Sequence, residues 1–458
     1  MKQDAPGRDV FQGPLLCTFA RYALPSLLGL LAISTASIVD GFFVGRYVGP
    51  EALAAVNLQL PYFALLFGAA LMLAFGGSIR AGHSLGAGYE RAASATFSKS
   101  VVAAVLLGCV AALAGNVFDL ALYRALGAPP HLFGPMREYF RVISCALVVQ
   151  LGTLVVYYFV RLDGRPLLAT VAVVTGAITN IGLNALLVGG LGLGLSGAAS
   201  ATGLAQLVQL AVLLSHFGSG RGKLRFSLLQ RDWAELIRSA YGGASELVNE
   251  ASVGLLALLL NWLLVRRVGV HGVAAFTVVS YATYTSLMVA YGAADALHLL
   301  VTQNVGAGNV KRAGAFFRCA LGCVIAFGAT LAGGLLAFGD AWIHLFVGGA
   351  RPGLTAQAAA FLGCIWPLLL FNGANVLMTV YLAATHRPGP AGLLALCRSL
   401  LAPATFLLLL SWLEVSPFLL ALPLAEAATL LFAITLLGRG ERSAAVELAG
   451  SQSGEVTP

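Results

Sequence analysis

The sequence predicts an all-α membrane protein with 12 transmembrane helices, arranged as two parallel six-helix repeats. Hydrophobic residues make up 59% of its 458 residues and charged residues only 10%, whereas a soluble domain carries about a quarter charged residues. Apolar runs of about 20 residues, the length that a helix needs to cross a bilayer, recur along the chain. The runs are continuous and rich in Leu and Ala, which disfavours the alternating pattern of a β-barrel.

The second half of the chain repeats the first. Arg46-Tyr47-Val48-Gly49 is matched by Arg266-Arg267-Val268-Gly269, and Gly86-Ala87-Gly88 by Gly306-Ala307-Gly308 at the same offset. Each half carries six apolar runs. Because six is even, both halves enter the membrane from the same side, so the repeats are parallel.

The apolar runs define the spans and the domains. We expect spans at residues 20–43, 52–75, 97–118, 139–160, 167–188, 196–217, 236–265, 272–297, 314–338, 358–383, 389–413 and 417–437. The domains that follow are an N-terminal lobe at 1–218, a basic linker at 219–233, a C-terminal lobe at 234–438 and a disordered tail at 439–458.

The distribution of basic residues predicts the orientation. The longest basic loop, Arg221–Arg231, joins the two halves, and it lies on the same side as both termini. Lys and Arg concentrate in cytoplasmic loops, so we expect both termini in the cytoplasm. The net charge of +8 reflects this bias and anionic lipid, and requires no nucleic acid.

Neither the cysteines nor the glycines indicate a cofactor site. The seven cysteines are scattered and do not have the spacing of zinc ligands. The Gly-rich run at 189–197 lacks the Gly-Lys-Ser/Thr ending that binds nucleotide phosphates. We therefore expect no cofactor, and uphill transport would have to use an ion gradient.

A few polar residues inside the first-half spans are candidates for ion binding. Asp40 follows a long apolar run that Pro25 is placed to bend, as a hinge, and Asn180 and Asn184 lie one helical turn apart. A carboxylate at membrane depth is costly and is retained where it has a partner or a function. These residues predict a proton or Na⁺ site, with Asp40 as the Na⁺ ligand. Alternatively, Asp40 lies in the hydrated headgroup zone.

The second half carries a different set of ionisable residues. Glu246 and Glu250 lie one turn apart with Asn249 between them, so full ionisation of both is disfavoured. Asp295 and Glu426 lie at the end of span 8 and within span 12. All are candidates for substrate binding, although Glu246 at a helix start, and Asp295 with His298, are equally explained as solvated residues.

Aromatic and amide side chains predict a wall of the substrate cavity. Tyr281, Tyr284 and Tyr291 share one helical face. Three asparagines would complete the wall: Asn261, Asn372 and Asn375. Ring faces and amides suit organic cations, whereas the alternative is ordinary packing between helices.

Several spaced motifs resemble the MATE (multidrug and toxic compound extrusion) transporters. They include the run Val39–Val56, the Gly-Ala-Gly segments after spans 2 and 8, the loop Arg161–Pro166, and Asn180 with Asn184. Gly243–Leu247 with Asn261 is similar to the MepA/NorM-like bacterial branch. The resemblance covers nearly the whole chain.

The resemblance implies a V-shaped, monomeric antiporter in a bacterial inner membrane, which exports lipophilic organic cations in exchange for H⁺ or Na⁺. Asp40 would be the coupling carboxylate, Asn180 its amide partner and Glu250 the second-lobe acid. Asn184 stands where some members carry a second acid. The NorM-like branch also carries an acid in span 10, whereas span 10 of this chain has Asn372 and Asn375 instead.

Two other functions remain open. A flippase for lipid-linked saccharides has a related two-lobed plan, and an Arg-rich cleft would favour it. A membrane enzyme would need a His/Asp metal motif or a nucleophile with its base, which the seven histidines do not supply in any cluster.

Overall fold

The computed structural model describes residues 8–218, 222–227, 233–347, 352–415 and 418–453, and the secondary structure within them is helical. In the first half the α-helices are α1 (Arg8–Gln12), α2 (Leu15–Phe43), α3 (Pro50–Gly86), α4 (Glu90–Val117), α5 (Asp119–Ala125), α6 (Phe133–Leu162), α7 (Pro166–Asn184) and α8 (Gly194–Gly218). In the second half they are α9 (Ala234–Gly242), α10 (Ala244–Gly306), α11 (Val310–Val347), α12 (Pro352–Ile365), α13 (Leu368–Ala384), α14 (Pro388–Leu396), α15 (Ala402–Trp412) and α16 (Ala421–Ser453).

Among the described residues, 11 helical segments are long and apolar enough to cross a membrane, or 12 when a bent pair is one span. The bent pair is α12 with α13, and its two parts differ in direction by 49°. This confirms the all-α membrane fold. Spans 7 and 8 differ from expectation because one helix, α10, contains both of them and no turn separates them.

The disordered tail predicted at 439–458 stays a prediction, although part of it is described. Helix α16 continues through Ser453. The segment from Arg439 to Leu448 is rich in Ala, Glu, Arg and Leu, which favour helix. Residues 454–458 of the predicted tail lie outside the described residues.

The described residues group into two compact units. The first comprises those of Met1–Ala251 and Tyr291–Ala320, and the second those of Ser252–Ala290 and Leu321–Pro458. Helix α10 contributes to both units. The boundaries of these units differ from those of the two predicted lobes, whose division at 219–233 stays a prediction based on the repeat.

Each unit has its own apolar core. In the first unit, Val44, Ile143 and Leu195 belong to one buried cluster. In the second, Leu264, Phe361 and Leu407 belong to another. Burying such side chains stabilises each helix assembly through packing, since lipid tails are as apolar as the side chains themselves.

Helix packing in the first unit prepares the site. Helix α2 packs along α7, α7 packs on α8, and α6 contacts both α4 and α8. The approach of α3 to α9 requires a glycine: a Cβ on Gly76 would lie 2.0 Å from the Ser239 carbonyl oxygen.

The part of the linker that is described, residues 222–227, lies on the first unit. The Asp163 carboxylate accepts hydrogen bonds from the backbone N–H groups of Lys223 at 3.0 Å and Leu224 at 3.2 Å. The same carboxylate contacts the His216 ring at 2.8 Å. A Cβ on Gly222 would lie 2.3 Å from an Asp163 oxygen, so glycine is required for this close approach.

Candidate functional site

The structure brings Asp40 together with both predicted amides. The Asn184 amide donates to Asp40 Oδ1 at 2.5 Å, and the Asn180 amide lies 3.5 Å from the same oxygen. Asn184 also donates to Asn180 Oδ1 at 3.3 Å. Both asparagines are buried and Asp40 is half-buried. The contact exists because α2 packs along α7.

Thr202 of α8 extends this group. The Asn180 amide donates to Thr202 Oγ1 at 3.3 Å, and the Thr202 hydroxyl donates to the carbonyl of Ala198. Thr202 was not predicted from the sequence, because nothing in the spacing of a single threonine shows that it faces another helix.

Two π-helical stretches adjoin the Asp40 site. One, Val44–Val48, follows the helix that carries Asp40, and the other, Ala185–Gly190, begins directly after Asn184. Such stretches are rare and occur frequently at functional sites. The apolar pattern gave no sign of them.

The chemistry of this group suits a small cation. A carboxylate, two amide oxygens and a hydroxyl are hard oxygen ligands, and the carboxylate alone can take a proton. Within the described part of the chain there is no group of three or more His, Cys, Asp or Glu side chains that could hold a metal ion.

Pro25 lies inside α2, in the half of the helix that precedes Asp40. Its carbonyl accepts a hydrogen bond from the Thr170 hydroxyl of α7 at 2.7 Å. Proline removes one backbone hydrogen bond from a helix, so α2 has a weak point that α7 supports. The hinge role of Pro25 stays a prediction.

In the second unit, Glu426 accepts hydrogen bonds from an amide and lies within electrostatic range of a cation. Asn375 donates to Glu426 Oε2 at 2.6 Å and to its carbonyl at 2.9 Å. The buried Arg398 attracts Glu426 electrostatically. Arg398 is distant in sequence from Glu426, and it lies in a third π-helical stretch, Cys397–Leu401.

The predicted aromatic wall is divided between the units. Tyr281 and Tyr284 belong to the second unit, with 45% and 62% of their side chains exposed, whereas Tyr291 belongs to the first. Asn372 is buried and accepts a hydrogen bond from Ser286 at 3.1 Å. The side chain of Asn261 lies outside the described residues.

The acids at the start of α10 belong to the first unit, as Asp40 does. Glu246 and Glu250 are half-buried, and Glu250 lies beside Gly68, where an added Cβ would be 3.1 Å from the Glu250 Cβ. The buried Asn249 lies 3.5 Å from the Tyr291 hydroxyl. We expected these residues in the second lobe from their position in the repeat.

At the other end of α10, Asp295 pairs with Arg161 of α6 at 2.7 Å. His298 is fully buried, 3.0 Å from the Ser78 hydroxyl, and its ring stacks on Phe75 with centroids 4.3 Å apart. The alternative of a solvated surface pair is therefore wrong for His298. Arg161 was missed as a partner, because its counter-ion follows it by more than a hundred residues.

The chain matches a known protein family. A family model described as MatE matches residues 25–186 and 247–405, one match in each half of the chain. The chain belongs to the MatE family. Members of this family are membrane transporters rather than enzymes, so the predicted transporter class is confirmed.

Curated relatives span most of the chain. It is 24% identical over 370 residues to the probable multidrug resistance protein YoeA of Bacillus subtilis (strain 168), covering 78% of each chain. It is 25% identical over 408 residues to the FAD transporter of Shewanella oneidensis, covering 86% of this chain and 87% of that one. It is 20% identical over 400 residues to the multidrug export protein MepA of Staphylococcus aureus (strain NCTC 8325 / PS 47), covering 87% and 88%.

Solved structures show the same fold. A crystal structure of MATE in the bent conformation has a TM-score of 0.88 at 20% identity, covering 96% of this chain and 98% of that one. A MOP superfamily transporter from Pyrococcus furiosus Vc1 (DSM3638), described as having a binding pocket of reverse polarity, has a TM-score of 0.85 at 20% identity, covering 95% and 98%. These likenesses confirm the MATE-like fold of this polytopic membrane protein.

Proposed function

We propose that this MatE protein exports lipophilic organic cations in exchange for H⁺ or Na⁺, by alternating access, and that Asp40 binds the coupling ion. One observation carries the proposal: a half-buried carboxylate in a membrane helix receives its described hydrogen bonds from amides rather than from a guanidinium or ammonium group. Its negative charge is thus available to a small cation.

The negative charge of Asp40 is costly inside the membrane. Placing a carboxylate at membrane depth costs at least ~2.5 kcal/mol, and two amide hydrogen bonds offset part of this cost. An arriving proton or Na⁺ neutralises the carboxylate and changes the preferred partners of Asn180 and Asn184. An ion that binds one conformation better than another shifts the equilibrium between them by its differential affinity, and a few kcal/mol suffice.

The charges of the buried side chains favour a cationic substrate. Two buried arginines interact with carboxylates: Arg161 pairs with Asp295 at 2.7 Å, and Arg398 attracts Glu426 electrostatically. The positive charges of these two arginines are thus partly compensated, which favours a cationic substrate over a lipid-linked saccharide or another phosphate-bearing molecule. YoeA and MepA are named for multidrug resistance and export, which agrees with organic cations.

Flavin export is the second candidate, because one relative of similar identity is named an FAD transporter. FAD carries two phosphates, so its recognition requires cationic groups at the site. The compensated arginines make this candidate weaker than cation export.

Within the first unit, Glu250 is our candidate for attracting the organic cation. It is half-buried beside the small residue Gly68, and an ammonium group gains more from a carboxylate in a partly desolvated site than in water. Glu246 and Asn249 lie on the same stretch of α10 and would contribute polar contacts. The exposed rings of Tyr281 and Tyr284 offer cation–π surfaces.

The proposal includes the orientation of the chain in the membrane, its monomeric state and its two lobes. Both termini and the basic linker would face the cytoplasm of a bacterium, following the distribution of Lys and Arg. The transporter would act as a monomer in the inner membrane, and movement of its two six-helix lobes would give alternating access.

A reconstituted transport assay tests this function. Proteoliposomes would be loaded with an ethidium-like cation, and efflux measured under a proton gradient and, separately, under a Na⁺ gradient. We expect efflux with at least one gradient and its loss in Asp40→Asn, which keeps the shape of the side chain but removes its charge. Glu138→Gln is the matched control, because Glu138 is an exposed carboxylate of the same unit. It accepts a hydrogen bond from the Ser196 hydroxyl at 2.9 Å.

The outcomes separate the candidates. Efflux by Asp40→Asn equal to that of the parent protein would refute the coupling role of Asp40. Transport of FAD, without transport of the organic cation, would replace cation export by flavin export. Equal loss in Glu138→Gln would show that the effect is not specific to the Asp40 site.

A further inference from the structure

A buried arginine pairs with a less buried carboxylate in the first unit. Arg161 lies in the last turn of α6, and its Nη1 donates to Asp295 Oδ2 at 2.7 Å. The Arg161 side chain is only 2% exposed, whereas that of Asp295 is 17% exposed. The cation is thus enclosed, while the carboxylate keeps an accessible edge.

The two partners depend on each other unequally. Arg161 also donates to the Tyr157 hydroxyl at 3.0 Å and to the Ser26 hydroxyl, and its guanidinium lies 5.2 Å from the centre of the Tyr157 ring. The other described hydrogen bond of Asp295 is a long one, from the Tyr158 hydroxyl at 3.5 Å. The guanidinium can therefore keep several contacts without Asp295, but Asp295 has its strongest contact in Arg161.

Aromatic residues lie next to the Arg161–Asp295 pair. The rings of Tyr157 and Tyr158 meet edge to face with centroids 5.5 Å apart, and Tyr158 also meets the rings of Phe75 and His298, each at 6.2 Å. A carboxylate next to ring faces is the chemistry that binds organic cations, through ion pairing and cation–π attraction. The guanidinium of Arg161, held by Asp295 and stacked over Tyr157, is itself a cation bound in this way.

We propose that Asp295 is a cation-binding site for which Arg161 and the exported organic cation compete. This inference rests on the proposed export of cations and deepens it. In the empty protein Arg161 occupies the carboxylate, so the charge does not stay unpaired inside the protein. An incoming organic cation takes over Asp295, and the guanidinium turns to Tyr157 and Ser26.

The competition links binding to a change in helix contacts. While Arg161 holds Asp295, the end of α6 is tied to α10. When the substrate takes Arg161's place, this tie is released, and when the substrate leaves, Arg161 restores it. The internal cation therefore lowers the apparent affinity for substrate in proportion to the time that it occupies the site.

Equilibrium binding of tetraphenylphosphonium to the purified full-length protein in detergent tests the competition. Arg161→Gln removes the competitor, so we expect its Kd to fall by about tenfold. Asp295→Asn removes the site, so its Kd should rise by about tenfold. Arg161→Gln combined with Asp295→Asn should bind as weakly as Asp295→Asn alone, since the competitor has no effect without the carboxylate.

Two further variants serve as controls for the binding experiment. Arg161→Lys keeps the charge but loses the forked geometry that reaches three partners, so it should tighten binding by a smaller factor even if Arg161→Gln does not fold. Arg137→Gln is the matched control. Arg137 forms an Arg–Asp pair with Asp119 at 2.5 Å, and its side chain is far more exposed than that of Arg161. The Kd of this variant should equal that of the parent protein.

A purely structural ion pair would give a different pattern. Binding that is weakened or unchanged in both Arg161→Gln and Arg161→Lys would overturn the competition, since removing a competitor cannot reduce affinity. Efflux that depends on Asp40, measured on the same preparations, separates this result from failure of the proposed function. If the parent protein binds no organic cation and shows no such efflux, both proposals are wrong.

Discussion

The carboxylates Asp40 and Glu426 lie in different units and have different neighbours. Amides from Asn180 and Asn184 reach Asp40. Glu426 receives one amide, from Asn375, and the positive charge of Arg398. A carboxylate beside a cation is already neutralised as a pair, whereas one held by amides still carries a charge that an ion can neutralise. The two carboxylates therefore have different electrostatic surroundings.

The repeat explains where this difference arises. At the offset that aligns Arg165-Pro166 with Arg387-Pro388, Asn180 corresponds to Ala402 and Asn184 to Phe406. Arg398 stands where α7 has Gly176. The helical scaffold was copied, as the two matches of the family model show, but the polar side chains were not. A transporter that uses one lobe for the ion needs such asymmetry.

Glu426→Gln sharpens the comparison most strongly, because it removes a carboxylate that attracts the buried Arg398. Removing one member of a buried charge pair costs up to about 3–5 kcal/mol, so we expect a fall in the thermal unfolding temperature. Ion-driven efflux per folded molecule should stay close to that of the parent, in contrast to Asp40→Asn. Thermal unfolding and efflux would be measured on the same preparation.

Arg398→Met combined with Glu426→Gln checks the cause of that fall. Replacing both members of a buried pair by uncharged residues is often neutral, so the double variant should regain most of the lost unfolding temperature. A double variant that is less stable than Glu426→Gln would mean that Arg398 stabilises the unit through contacts other than the pair.

The two amides at Asp40 should contribute unequally. A hydrogen bond to a charged group contributes about 1.5–3 kcal/mol, and Asn184 makes the short contact of 2.5 Å whereas Asn180 lies at 3.5 Å. We expect Asn184→Ala to lower ion-driven efflux by about 10- to 100-fold, and Asn180→Ala by less. Initial rates in proteoliposomes measure both, and the reverse order would contradict this geometry.

The smallest effect is expected outside the membrane spans, at Asp119. A hydrogen bond from Arg137 is the main cause that lowers the pKa of the Asp119 carboxyl. A lowered pKa in the folded state stabilises the protein above the unfolded value of about 4. Asp119→Asn should therefore reduce the unfolding temperature slightly at pH 7, and the difference should vanish as the pH falls below about 4. A difference that persists at low pH would point to the hydrogen bond from the Leu120 backbone N–H to the Asp119 side chain.

Much of the site followed from local sequence. A carboxylate in an apolar run, and two asparagines one turn apart, are visible without a structure, because helical spacing places them on known faces. Thr202, Arg161 and the pairing of Arg398 with Glu426 were not visible, since each contact joins helices that are distant in the chain. The division of α10 between two units, which separates Tyr291 from Tyr281 and Tyr284, was equally hidden.

The sequence by itself determined that the protein lies in a lipid bilayer, that it is helical, that its two halves are repeats and which family it belongs to. These features depend on composition, the length of apolar runs and the spacing of motifs along one chain. Only the tertiary structure decided which charges meet. Asp40 has amides for neighbours, and Asp295 and Glu426 have arginines, because helices distant in sequence pack side by side. In a low-dielectric interior the nearest partner determines the energy of a charge, and so determines which carboxylate remains available to bind an ion.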